Sequence, residues 1–252
     1  SPMMNGFPSI WTSYFRAMDA RLDPALKIAE FLLRIKAVRL SPKEPFTWAS
    51  GIKSPIYCDN RRTLSHPMMR TYIRQQFVEA IIEEFGKPDM IAGVATGGIA
   101  HGVLVAQEMG LPFIYVRSSA KEHGMKNMVE GDLTQGRNAV VVEDLVSTGK
   151  SSLNAVASLR DAGCEVKGMV SIFTYRLKEA TEAFAKAKMR LHSLTDYSTL
   201  LDQALADNYI TEQELATLRE WREDPANWPR VAVGTNSPTG KKAASGTHTK
   251  GT

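Results

Sequence analysis

The segment 140–152 constrains the fold of this chain more than any other part. It begins with three adjacent valines, and such β-branched apolar runs are typical of a parallel strand that is buried on both faces. Two carboxylates, Glu143 and Asp144, stand at the end of the predicted strand, and a turn rich in glycine and hydroxyl groups then opens a helix near Gly149. The segment therefore predicts a strand, a tight turn and a helix, which is the repeating unit of α/β proteins.

The turn after this strand has the groups that bind a phosphate. Its backbone N–H groups, the hydroxyls of Ser147, Thr148 and Ser151, and the positive end of the helix dipole converge on one point. The acidic pair would repel the same anion, but it suits adjacent sugar hydroxyls and a metal ion bound to them. The pattern predicts a ribose 5-phosphate site, and an ordinary strand–turn–helix connection is the alternative. A P-loop is disfavoured because Asp144 stands where that motif needs its first glycine.

Strands and helices are predicted to alternate along the rest of the chain. From the apolar pattern, we expect strands at about 90–95, 112–116, 139–142, 165–174 and 190–194. Helices are expected at about 24–37, 67–85, 98–110, 149–162 and 212–222. This alternation predicts an α/β fold, a doubly wound parallel sheet flanked by helices, with a small N-terminal hood of short strands.

Ligands of such sheets bind beyond the carboxyl ends of the strands, and three strand ends here carry unusual residues. One is Thr96-Gly97-Gly98, where the glycines would let backbone amides approach a pyrophosphate, or would serve a tight turn. Another is the segment 117–137, which has no periodic pattern and carries several cations, as a loop covering an anionic leaving group would. A solvated basic loop is the alternative for that segment. The third begins at Glu143, and we expect all three to share one crevice.

Three segments resemble one enzyme family. Residues 140–152 resemble the motif with which type I phosphoribosyltransferases bind phosphoribosyl pyrophosphate (PRPP). Residues 45–59 resemble the N-terminal hood of the orotate phosphoribosyltransferase family, and residues 115–124 resemble the start of its mobile catalytic loop. The resemblance extends over about 25–228. It implies the type I phosphoribosyltransferase fold and the transfer of ribose 5-phosphate from PRPP to orotate, giving orotidine 5′-monophosphate and pyrophosphate in UMP biosynthesis.

The resemblance also implies roles for individual residues. The implied catalytic residues are Lys121, His123, Arg117 and Asp144. The implied PRPP-binding residues are Arg117, Lys121, His123, Glu143, Asp144, Leu145, Val146, Ser147, Thr148, Gly149, Lys150 and Ser151. The implied pyrophosphate loop is Thr96, Gly97 and Gly98, and the implied orotate contacts are Ser147, Tyr57 and Arg176. Magnesium (Mg²⁺) is the implied cofactor, held by PRPP and reached through Glu143 and Asp144, and the implied assembly is a homodimer with composite sites.

The chain departs from the family pattern at three positions where many or some members carry lysine. These positions are Ala49, Gly97 and Ser118. Either Lys53, Lys126 and Lys150 compensate for the missing charges, or the substrate affinities differ. Two other functions stay open as alternatives, a phosphoribosyltransferase for another base and a non-catalytic PRPP-sensing regulator. The orotate contact of Arg176 also has an alternative, because an exposed arginine that opens a helix would fit the same pattern.

Charge and composition exclude several other classes of protein. The formal net charge is +4, and Lys241, Lys242 and Lys250 near the C-terminus supply three of these charges, so we predict no nucleic-acid partner. No apolar run is long enough to span a bilayer, so we expect no membrane partner. Cys58 and Cys164 are far apart in the sequence and lack zinc spacing, which indicates a reducing compartment, so we expect a cytoplasmic protein. The expected organisation is an extension at 1–20, a single domain at 21–231 with its hood at about 21–62, and a disordered basic tail at 232–252.

Overall fold

The structure is a computed structural model that describes residues 23–48, 51, 53–117, 128–133 and 138–228. The predicted extension and tail lie outside the described residues.

The N-terminal helix begins as predicted but ends earlier. Helix α1 (Pro24–Arg34) is capped by the Asp23 carboxylate, which accepts a hydrogen bond from Ala25 N at 2.8 Å. Its predicted end at Ala37 is wrong, because Lys36 has a φ of 56° and this left-handed conformation turns the chain out of the helix.

Four short strands follow, and we call them the hood. β1 (Val38–Leu40) pairs antiparallel with β4 (Ile56–Cys58), and β2 (Phe46–Thr47) pairs antiparallel with β3 (Lys53–Ser54). A 3-10 segment (Asn60–Ser65) then leads into helix α2 (Pro67–Phe85). Both ends of α2 agree with the prediction, since Pro67 occupies its first turn and Gly86 follows its last residue.

A six-stranded sheet forms the centre of the described chain. Its strands are β5 (Met90–Val94), β6 (Phe113–Val116), β7 (Val129–Glu130), β8 (Asn138–Val146), β9 (Glu165–Thr174) and β10 (Leu191–Asp196). Their order is β10-β9-β8-β5-β6-β7, and neighbours are parallel except for β6 and β7. The helices that follow α2 are α3 (Gly97–Met109), α4 (Lys150–Asp161), α5 (Lys178–Lys186), α6 (Tyr197–Ala206) and α7 (Glu212–Glu223). The predicted α/β fold is confirmed, with β7, α5 and α6 as additions to the predicted elements.

The order of the strands determines where a ligand can bind. The parallel sheet starts at β5, adds β6 on one side and then β8, β9 and β10 on the other, so the winding reverses between β5 and β8. In such sheets the ligand crevice lies beyond the carboxyl ends of the two strands at the reversal. Those ends carry Thr96-Gly97-Gly98 and the segment 143–151. Two of the three predicted strand ends therefore meet at one crevice.

Strand β8 is longer than predicted, which corrects the position of the acidic pair. It continues past Val142, so Glu143 and Asp144 lie within the strand and not after it. Pairing with β9 continues as far as Val146, whereas pairing with β5 ends at Val142. Beyond Val142 the side of β8 that faces β5 is therefore open, and the crevice lies on that side.

We call the central sheet and the helices around it the body of the protein, to distinguish them from the hood. Helix α1 packs against β10 and α6, so it belongs to the body and not to the hood strands. Helix α7 has the predicted capping box: Glu214 N donates to Thr211 Oγ1 at 3.3 Å, and Thr211 N donates to the Glu214 carboxylate at 2.9 Å. None of the described helices is both long and apolar enough to cross a membrane.

Candidate active site

A cavity of about 420 Å³ lies at the point where the winding of the sheet reverses. We call it the main cavity. Its walls include the predicted residues Thr96, Gly97, Glu143, Asp144, Leu145, Ser147, Thr148, Gly149 and Ser151. The hood side adds Cys58, Asp59 and Arg61, which are not among the implied catalytic or binding residues. The fold thus brings the predicted pyrophosphate loop and most of the predicted PRPP-binding run to one place.

Gly97 and Gly98 let the turn after β5 pack directly against β8. A β-carbon on Gly97 would lie less than 3.0 Å from the carboxylate of Asp144. A β-carbon on Gly98 would lie equally close to the backbone carbonyl oxygen of Val142. The peptide bond between Ala95 and Thr96, just before these glycines, is cis. Close approach to β8 is therefore a reason for both glycines that the sequence pattern does not provide.

The two adjacent carboxylates have different surroundings. Glu143 is buried; it accepts a hydrogen bond from Asp144 N at 2.9 Å and another from Ser152 Oγ at 3.0 Å. Burial, and then the charge of Asp144, raise the pKa of Glu143 well above its usual range. Asp144 is only partly buried, so its carboxylate is the one that the main cavity presents to a ligand.

Replacing Glu143 with glutamine is expected to raise the melting temperature by about 2–4 °C at pH 8, equivalent to about 1 kcal/mol. The pKa of Glu143 is raised on folding, so wild-type stability falls as the pH rises above the ordinary carboxyl value of 4.5 and the buried group ionises. Glutamine carries no charge, and its amide can accept from Asp144 N and donate to Ser152 Oγ. Thermal melts between pH 4.5 and 8 measure the difference. A gain that does not shrink toward pH 4.5 would contradict this explanation.

The turn after β8 has the geometry of an anion site. Gly149 has a φ of 80°, and helix α4 begins at the next residue, so the first N–H groups of the helix have no partner within it. Ser147, Thr148, Gly149 and Ser151 line the main cavity, and the Ser147 hydroxyl accepts a hydrogen bond from Thr148 N at 2.6 Å. Two predicted residues lie differently. The side chain of Val146 is buried in the hydrophobic core, so only its backbone is available to a ligand, and Lys150 is exposed at the start of α4.

Asn60 connects the hood to the acidic pair. Its side-chain Nδ2 donates to the backbone carbonyl of Asp144 at 2.7 Å, and its Oδ1 accepts from Cys58 Sγ at 3.2 Å. Thr63 Oγ1 donates to the Asn60 carbonyl at 2.6 Å and lies 3.1 Å from His101 Nε2. Burial lowers the pKa of His101 to about 4, so this histidine is neutral at pH 7. Asn60 follows the recognised hood segment directly, and that position is the only signal the sequence offers for it.

A second cavity, of about 270 Å³, adjoins the main cavity. We call it the aromatic cavity. It is lined by Thr47, Trp48, Tyr57, Cys58, Leu145, Ser147 and Tyr175, and the predicted residues Tyr57 and Ser147 are among them. Cys58, Leu145 and Ser147 also line the main cavity, so the two cavities lie side by side and share part of their walls. Burial raises the pKa of both the Cys58 thiol and the Tyr175 phenol well above their usual ranges, so these walls are neutral at pH 7.

Two cations flank the other end of the main cavity. Arg117 and Lys150 line a third cavity, of about 320 Å³, which shares Thr148 and Ser151 with the main cavity. The Arg117 guanidinium lies 3.6 Å from the carboxylate of Glu130. Arg117 therefore lies beside the turn after β8, as the sequence predicts.

Comparisons with known proteins agree with this geometry. A sequence model described as the phosphoribosyl transferase domain matches residues 72–197. The orotate phosphoribosyltransferase of Bacteroides thetaiotaomicron is 56% identical over 200 residues, which cover 79% of this chain and 94% of the relative. The chain belongs to the orotate phosphoribosyltransferase family.

Solved structures of this family share the fold. The orotate phosphoribosyltransferase from Aeropyrum pernix matches with a TM-score of 0.64 and 28% identity, over 73% of this chain and 99% of that chain. The UMP synthase of Leishmania donovani matches with a TM-score of 0.67 and 28% identity, over 79% of this chain. The match covers 42% of the UMP synthase chain, so this protein spans less than half the length of that relative.

Some residues expected in an orotate phosphoribosyltransferase site are not placed in these cavities. Lys121 and His123 lie outside the described residues, as do the departures Ala49 and Ser118. At the third departure, a lysine side chain in place of Gly97 would overlap the Asp144 carboxylate in this packing.

Arg176 lies elsewhere in the described structure. Its Nε is 2.8 Å from the Asp196 carboxylate, and its side chain lines a separate cavity beside Phe184 of α5. Contact between Arg176 and orotate in the aromatic cavity would require the guanidinium to leave Asp196, so this predicted contact stays a prediction.

Proposed function

We propose that this protein transfers the ribose 5-phosphate group of PRPP to orotate, releasing pyrophosphate and forming orotidine 5′-monophosphate. The observation that carries the proposal is that the main cavity and the aromatic cavity lie side by side and share Cys58, Leu145 and Ser147. The main cavity offers a carboxylate and an anion-binding turn, and the aromatic cavity offers neutral walls that include three aromatic rings. A sugar phosphate and a planar base that become joined during the reaction need two such spaces side by side.

The proposed arrangement assigns each part of the substrates to a described group. The 5′-phosphate binds the turn 147–151, where N–H groups and hydroxyls converge, and the ribose hydroxyls bind Asp144. The pyrophosphate lies toward Thr96-Gly97-Gly98. Orotate enters the aromatic cavity between Tyr57 and the shared residue Ser147, which brings its ring nitrogen next to the sugar.

Charge stabilisation is the main catalytic task in this proposal. As the bond from C1′ to pyrophosphate breaks, positive charge develops on the sugar and negative charge on the leaving oxygens. Arg117 and Lys150 line the third cavity together with Ala95, which precedes the proposed pyrophosphate loop, and the resemblance adds Lys121 and His123 as further cations for the leaving group. Orotate is already an anion, so its ring nitrogen needs little activation by a base.

Magnesium fits this site as an ion carried mainly by the substrate. Within the part of the chain that the structure describes, no three His, Cys, Asp or Glu side chains come together as a cation site. Mg²⁺ commonly keeps several waters and combines one or two protein carboxylates with substrate phosphates. We propose that Asp144, with Glu143 behind it, would hold the ion, which would supply positive charge to the pyrophosphate oxygens. The homodimer with composite sites and the cytoplasmic location stay predictions.

An assay of base specificity tests the proposed function. The protein is mixed with PRPP and Mg²⁺, and pyrophosphate release is followed with orotate, uracil, adenine and hypoxanthine in turn. We expect release with orotate and formation of orotidine 5′-monophosphate. Release with adenine or hypoxanthine but not with orotate would indicate a phosphoribosyltransferase for another base. No release with any base, together with PRPP binding, would indicate a regulator.

A further inference from the structure

Trp221 of helix α7 lies behind two walls of the aromatic cavity. Its side chain is fully buried, and its ring centroid is 5.8 Å from that of Trp48 and 5.7 Å from that of Tyr175. Both contacts are close to edge-to-face, with interplanar angles of 78° and 71°. Trp48 and Tyr175 line the aromatic cavity, whereas Trp221 is not among the residues on its wall.

The two supported walls come from different parts of the fold. Trp48 follows β2 in the hood, where its indole nitrogen donates to the Ile56 carbonyl at 3.3 Å. Tyr175 directly follows β9, so the central sheet determines its position. The centroids of these two rings lie 5.7 Å apart. Trp221 contacts both rings, so it links a residue of the hood, Trp48, to a residue of the body, Tyr175.

Helix α7 is itself fastened to both parts. On the body side, Tyr197 Oη donates to the Leu218 carbonyl at 2.9 Å, and the Tyr197 ring lies 5.5 Å from that of Trp221. On the hood side, Lys43 Nζ lies 3.2 Å from the Glu214 carboxylate. The capping box of the helix uses the same Glu214. These contacts place Trp221 behind the aromatic cavity without any contribution from a ligand, and the contact with Tyr197 is the buried one.

We infer that Trp221 is a positioning residue for base binding, and that helix α7, which lies beyond the matched domain 72–197, thereby helps to select the base. The inference rests on the proposed function, because it assigns the base to the aromatic cavity. Trp221 does not touch the base. It keeps Trp48 and Tyr175 in the positions that receive a flat ring. Among the described residues, the rings that it contacts are those of Trp48, Tyr175 and Tyr197, and none of these three lines the main cavity where PRPP is proposed to bind.

Kinetics with both substrates varied separately test this role. Trp221→Leu removes the edge-to-face contacts, so the KM for orotate is expected to rise about tenfold or more, since small misplacements of binding groups are costly. The KM for PRPP and the dissociation constant of PRPP are each expected to change less than about twofold. Trp221→Phe keeps an aromatic ring at the same place and is expected to restore most of the orotate affinity.

A core variant separates positioning from general loss of stability. Ile81 is fully buried in α2, and no residue of α2 lines the main or the aromatic cavity. Ile81→Ala is expected to lower the melting temperature without changing the KM for orotate. An unchanged orotate KM in Trp221→Leu, or an equal rise for both substrates, would overturn the inference while leaving the proposed function intact. A wild-type protein without orotate-dependent turnover would overturn both.

Discussion

Replacing Asp144 with asparagine is expected to lower kcat/KM for PRPP by about a hundredfold to a thousandfold, which corresponds to about 2.7–4 kcal/mol. Asp144 is the partly exposed carboxylate of the acidic pair, and its neighbour Glu143 is already bonded to Ser152 and to the backbone. Glu143 therefore cannot take over the ribose hydroxyls or the metal ion. Steady-state kinetics with PRPP as the varied substrate measure the loss.

The fold is expected to tolerate this substitution. The hydrogen bond from Asn60 reaches the backbone carbonyl of Asp144, which asparagine keeps. Asparagine also removes a like charge beside the buried Glu143, so the melting temperature should not fall by more than about 2 °C. Asp202→Asn is the matched control, because Asp202 is 63% exposed on α6 and its kinetics should be unchanged. If Asp144→Asn fails to fold, the carboxylate has a structural role instead.

The sequence predicts well those helices and strands whose apolar pattern or end signals lie within the element itself. The sequence predicts strand β9 at 165–174, and the strand has those bounds, because valine, methionine, isoleucine and phenylalanine recur along it and nearly all of its residues are buried. Helix α3 ends before Gly110, where a left-handed residue closes the helix. The predicted length of strand β8 is too short, because its pairing beyond Val142 depends on β9 and not on the polarity of Glu143 and Asp144.

The two additional helices differ in how visible they are in the sequence. Helix α6 has a clear signal in the sequence, although the predicted elements do not include it. Asp196 caps it by accepting from Thr199 N at 3.0 Å, and its buried residues recur at helical spacing. Helix α5 is weaker, because it has no side-chain cap and only Ala180 and Phe184 are buried. Short helices of this kind depend on tertiary packing for their stability.

The candidate site divides in the same way. The run 143–151 could be predicted because its carboxylates, hydroxyls and glycine are adjacent in the chain. Asn60 could not, because its contact with Asp144 joins residues 84 positions apart. Tyr175 and Trp221 become neighbours of the hood only after β9 and α7 have packed. Contacts between distant segments are a result of the fold, so the sequence pattern alone does not contain them.

Replacing Gly97 with alanine is expected to lower kcat/KM for PRPP about a hundredfold, with a smaller effect on stability, about 1 kcal/mol. The atoms nearest to the new β-carbon belong to the Asp144 carboxylate, which can rotate away. Rotation removes the carboxylate from the position proposed for the ribose hydroxyls. Activity is therefore lost while the turn and the sheet remain. Kinetics with PRPP and thermal melts on the same preparation measure both effects.

Gly98→Ala is the informative comparison, because its β-carbon would meet the Val142 backbone carbonyl, which cannot rotate away. This clash can be relieved only if α3 moves away from β8. We therefore expect the free energy of unfolding to fall by about 3 kcal/mol, which corresponds to roughly 6–12 °C in melting temperature. Gly110→Ala at the other end of α3 meets no atom within 4 Å and costs only the strain of a φ of 64°, so its kinetics should match the wild type. Full PRPP turnover in Gly97→Ala would show that Asp144 does not act from its position beside this glycine.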